Sequence, residues 1–71
     1  MRLIYFEDVN GIKCYINPEQ VVGIYEDSVN ILSNNDIYRP MKVTSIVLKD
    51  FPSLQVEASL EDVRSKLLFY I

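Results

Sequence analysis

Seventy-one residues fill one domain and leave no room for a second. A hydrophobic fraction of 49%, with few glycines and prolines, argues for a folded chain rather than a disordered one. With no histidine and one cysteine, the chain excludes an internal disulfide, Cys/His zinc sites and His-based nucleophile systems, and its net charge of −3 offers no global attraction for nucleic acid or anionic lipid.

Leu3 to Glu7 is rich in β-branched and aromatic residues and predicts a first strand. Asp8-Val9-Asn10-Gly11 predicts a tight turn, because Asn and Gly tolerate positive φ. Ile12 to Ile16 then alternates, with Ile12, Cys14 and Ile16 on one face and Lys13 and Tyr15 on the other, which completes a hairpin. Asn17-Pro18-Glu19-Gln20 predicts one helical turn capped by Asn17. Val21 to Glu26 predicts a third strand, with Val22 and Ile24 on one face and Val21 and Tyr25 on the other. Gly23 marks a bulge or a close backbone approach within it.

Residues 27–42 predict a projecting hairpin, with a flexible loop as the alternative. Val29 to Leu32 and Ile37 to Arg39 are the two short strands, Ser33-Asn34-Asn35-Asp36 the turn, and Pro40 the stop. Val43 to Lys49 predicts a further strand, followed by a turn at Asp50-Phe51-Pro52-Ser53. In Leu54 to Ala58, Leu54, Val56 and Ala58 alternate with Gln55 and Glu57, as in a half-buried strand. Ser59 then caps a helix with Glu61 and Asp62 in its first turn and an apolar stripe of Leu60, Val63 and Leu67. The expected fold is mainly β in an α+β arrangement. It is an antiparallel meander of about five to seven strands, in a curved sheet or small open barrel, with one C-terminal helix packed on it.

Asn10-Gly11, Tyr15-Ile16-Asn17-Pro18 and Val21-Val22-Gly23-Ile24-Tyr25-Glu26 resemble the opening of the small FlbD-like flagellar and swarming-motility proteins. Thr44 to Leu48 and Val56 to Val63 are similar to that family's final hairpin and helix. Relative to that pattern residues 27–42 are an insertion, and Phe51-Pro52-Ser53 stands where the family has Asn-Gly. The resemblance implies a small non-enzymatic bacterial protein and carries over no catalytic residue.

No catalytic constellation emerges from the residues themselves. Cys14 lies on an inward-facing position and reads as a small core residue rather than a reactive thiol. Glu7-Asp8, Glu26-Asp27 and Glu61-Asp62 flank turns or a helix start, where charge is expected. No cofactor, metal or small-molecule substrate is expected.

Surface chemistry is more informative. Tyr5, Tyr15 and Tyr25 fall on successive strands and would form a ladder if the register aligned them. Tyr38, Arg39 and Lys42 cluster beside the projecting turn, and Phe69 and Tyr70 extend the helix beyond what one stripe requires. These eight residues form the candidate interaction surface. They predict a non-enzymatic protein-interaction or self-assembling module of a small bacterial or phage protein, partnered by itself or by another protein. The alternative is a regulatory β-domain that binds nucleic acid through residues 38–42. The lone thiol, the early charge at Arg2 and Glu7 and the lack of a long apolar run predict a cytoplasmic protein without a membrane span.

Overall fold

A computed structural model of the chain describes residues 2–32 and 37–69. Among these residues there are five strands, one 3-10 turn and one α-helix. β1 (Ile4–Glu7) pairs antiparallel with β2 (Lys13–Ile16). β3 (Val21–Leu32), β4 (Tyr38–Leu48) and β5 (Leu54–Val56) form a second antiparallel sheet in that order. The two sheets meet where the Val9 N–H donates to the Gln55 carbonyl at 3.0 Å, beside a single bridge between Asp8 and Val56. The result is a curved meander without a closed barrel, completed by α1 (Leu60–Phe69).

Local chemistry sets the turns. Gly11 has φ +82°, and the Asp8 carboxylate accepts the Asn10 and Ile12 N–H groups at 2.8 and 2.9 Å. A Cβ at Gly11 would meet nothing closer than 3.9 Å, so its requirement is conformational rather than steric. Gly11→Ala should therefore destabilise the domain by about 1 kcal/mol, read as a lower denaturant midpoint. Asn17 caps the turn at Pro18–Gln20 by accepting the Glu19 N–H at 3.0 Å. Ser59 Oγ accepts the Asp62 N–H at 3.1 Å and so caps α1.

The core joins both sheets and the helix. Ile4, Phe6, Ile16, Ile46, Val56, Val63 and Leu67 form one buried cluster, with Cys14, Val21, Ile24, Leu48, Leu54 and Ala58 packed at its margin. Buried polar groups have partners. Thr44 Oγ1 donates to the Ala58 carbonyl at 2.7 Å, and the Ser45 hydroxyl lies 3.4 Å from the Asp27 carboxylate.

Three local expectations are revised. Val21 shares the core with Ile24 while Val22 is exposed, because the register slips between Val21 and Gly23 and the extra residue reverses the alternation. Ile12 precedes β2 and is exposed instead of sharing the core with Ile16. The short strands expected at Val29–Leu32 and Ile37–Arg39 are the outer end of β3 and, from Tyr38 onward, that of β4, paired continuously out to Leu32 opposite Tyr38. The expected turn at 33–36 lies outside the described residues.

Pro40 does not stop the strand, and the ladder explains why. The bond from Val9 turns the Gln55 peptide away from β4, so Ser45, opposite Gln55, directs its own backbone groups to β3. Alternation along the ladder then gives Asn30 and Pro40 a pair that exchanges no hydrogen bonds. The donor that proline lacks would face the side that β5, reaching only Thr44–Ile46, leaves open.

Candidate interaction surface

The structure separates the expected aromatic ladder into two parts. Tyr5 and Tyr15 are directly opposite in β1 and β2, with ring centroids 5.8 Å apart and planes at 65°. Tyr25 lies in the other sheet, opposite Ser45. The cause is the Asn17-capped turn, which ends the first sheet before β3 begins.

Lys66 is the member of this surface that the sequence pattern misses. It sits beside the apolar stripe of α1, yet its Nζ donates to the Tyr5 carbonyl and lies 4.5 Å from the Phe6 ring centroid and 5.6 Å from that of Tyr5. The aliphatic stem crosses apolar surface while the ammonium keeps a polar partner and two aromatic faces. Only its place next to Leu67 in the sequence hints at this role.

On the projecting hairpin, alternation puts Tyr38, Pro40 and Lys42 on one face and Arg39 on the other. The two cations thus do not act together. Lys42 instead borders an open cleft of about 660 Å³ shared with Glu26, Asp27, Glu57 and the Ser59 helix start. Acidic residues outnumber the one cation along this lining, which makes it a poor seat for a phosphate backbone. Phe69 is the last residue of α1, and Tyr70 lies outside the described residues.

A second groove of about 390 Å³ is apolar, and Leu3, Cys14, Tyr15, Leu48, Phe51 and Leu54 are among the residues lining it. Cys14 is half-buried there, its Sγ 3.5 Å from the Phe6 carbonyl oxygen. Burial pushes its thiol pKa up, and the Asp8 carboxylate adds to the shift. The thiol therefore stays protonated near neutral pH, which suits a packing role and not a nucleophile.

Among the described residues, no cluster of three or more acidic or cysteine side chains is arranged to hold a metal, and no helix is long and apolar enough to cross a membrane. In comparisons with protein-family models, curated proteins and solved structures, the chain matches none.

Proposed function

We propose that the chain is a non-enzymatic, self-assembling protein-interaction module of a small bacterial or phage protein, working in the cytoplasm. The observation that carries this reading is the amount of surface left uncovered. The chain exposes 5388 Å², whereas a compact monomer of 8.3 kDa would expose about 4,600 Å². Much of the exposed apolar surface belongs to ordered elements: Tyr15 and Tyr38 are each 68% exposed and Tyr25 48%. The likeness to FlbD-like proteins points the same way, toward a small protein without a catalytic site.

Light scattering on a sizing column at two protein concentrations tests this. The expected mass is twice that of the 8.3 kDa chain, or a higher multiple. A single-chain mass at both concentrations overturns self-assembly.

A further inference from the structure

The ladder of the first hairpin fixes which way each backbone group of β2 points. The Asp8 N–H donates to the Ile12 carbonyl at 2.9 Å, so those two residues are a bonded pair. Alternation then makes Phe6–Cys14 a bonded pair, whereas Glu7–Lys13 and Tyr5–Tyr15 exchange no hydrogen bonds. The Tyr5 carbonyl agrees with this phase, because it points away from β2 and accepts from Lys66 Nζ. Lys13 and Tyr15 therefore direct their N–H and C=O groups to the other side of β2. No strand pairs with that side among the described residues.

Among the described rims of the fold, β2 is the one left unguarded. The outer side of β1 is taken by Lys66 at Tyr5 and by the bridge from Asp8 to Val56. On β5 the Gln55 carbonyl already accepts the Val9 N–H. On β3 the register slips between Val21 and Gly23, and the Asp27 carboxylate accepts the Ser28 N–H at 2.8 Å. Pro40 removes a donor from the open side of β4. β2 contains neither proline nor bulge, and its one charge, Lys13, stands opposite Glu7. Beside β2 opens the apolar groove lined in part by Tyr15 and Phe51, which are 68% and 65% exposed. A strand laid on β2 thus finds free backbone groups and apolar surface together.

Charge and register select the occupant. A second copy can meet these groups antiparallel about a two-fold axis. An axis at Lys13 would set two ammonium groups directly opposite each other. An axis at Tyr15 would set Lys13 opposite Asn17, whose carbonyl already accepts the Gln20 N–H. An axis at Cys14 instead pairs Lys13 of each copy with Tyr15 of the other, and both pairs exchange their N–H and C=O groups. The row across the joined sheet then reads Glu7, Lys13, Tyr15, Tyr5, which places the ammonium between a carboxylate and an aromatic ring with no like charge beside it. We propose that a second copy of this chain adds its β2 antiparallel to β2 of the first, about a two-fold axis at Cys14. The two hairpins become one continuous sheet in the order β1–β2–β2–β1, at a strand spacing of about 4.8 Å. It rests on the self-assembly reading above and specifies its interface.

Amide hydrogen exchange, read by NMR on the assembled wild type, is the first test. The Lys13 and Tyr15 amides should exchange about tenfold or more below the rate of an unstructured amide, although nothing within their own chain protects them. The Cys14 amide, bonded inside the hairpin, serves as the protected reference. In a second measurement, light scattering across a dilution series compares the dimer dissociation constants of the wild type, Tyr15→Lys and Leu68→Glu, with circular dichroism to confirm folding. Tyr15→Lys sets an ammonium directly opposite Lys13 of the other copy on both sides of the axis, so its dissociation constant should rise by roughly tenfold or more. Leu68→Glu, on an exposed helix position, should leave it unchanged. The exchange measurement decides the matter alone if Tyr15→Lys does not fold. A wild-type dimer whose Lys13 and Tyr15 amides exchange at the unstructured rate, or that Tyr15→Lys leaves intact, overturns this interface while self-assembly stands. A wild-type monomer throughout the series overturns both.

Discussion

Ile46→Ala should lower the unfolding free energy by about 3 kcal/mol, within the range for truncating a fully buried isoleucine. Ile46 has no exposed surface, and in register it lies between Ile24 on β3 and Leu54 on β5, facing the helix residues Val63 and Leu67. The cavity would open where all three strands and α1 converge, and no single neighbour is free to collapse into it. For a chain this short, whose total stability is on the order of 4–10 kcal/mol, that loss threatens the fold itself. Urea denaturation at one fixed protein concentration would read it as a lower midpoint with an unchanged slope. Ile12→Ala supplies the contrast. Ile12 is 61% exposed, and its truncation should stay within about 0.5 kcal/mol. Equal losses at the two positions would show that the core is not where the sheets place it.

Thr44→Val should cost about 2 kcal/mol even though it keeps the side chain's shape. Thr44 is buried, and its hydroxyl donates at 2.7 Å to the Ala58 carbonyl, just before the Ser59 cap of α1. The substitution removes that bond and strands the carbonyl in a partly buried position. Thr44→Ser keeps the hydroxyl and loses only a methyl group, so it should cost about 1 kcal/mol. If Val proved no worse than Ser in the same denaturation experiment, the hydroxyl would not be what ties β4 to the start of the helix.

These contrasts also mark what the sequence makes legible. The Asn10-Gly11 turn, the Asn17 cap, the Leu54/Val56/Ala58 alternation and the Ser59 cap each depend on residues within a few positions of one another, and each stands where its pattern indicates. What depends on distant residues does not show locally. Asp27, Ser28, Asn30 and Pro40 are weak strand formers, so the long ladder reads in sequence as separate short pieces. It is continuous because each of those residues has a partner on the opposite strand. The facing of Val21 depends on a register slip, and the place of Tyr25 depends on which sheet its strand joins. The candidate surface is less legible still. Tyr5 and Tyr15 meet as their alternation suggests, but Arg39 and Lys42 part company because neighbours of odd spacing in a strand point opposite ways.

The partnership of Ile4 and Phe6 with Val63 and Leu67, fastened by Lys66 at the Tyr5 carbonyl, constrains how the molecule comes into being. The first strand of the fold has its packing partners on α1, with Tyr5 and Lys66 61 positions apart. Until position 67 has been translated and is free of the ribosome, β1 and β2 are a bare two-stranded ribbon, a unit that is marginal in water on its own. The hairpin of β3 and β4 is local and can zip early, whereas the core must wait for contacts across most of the chain. A nascent chain would therefore show its tyrosines and its long hairpin to its surroundings before it owned a folded interior. That interval, rather than the finished molecule, is when chaperones or a neighbouring nascent copy would find most to hold.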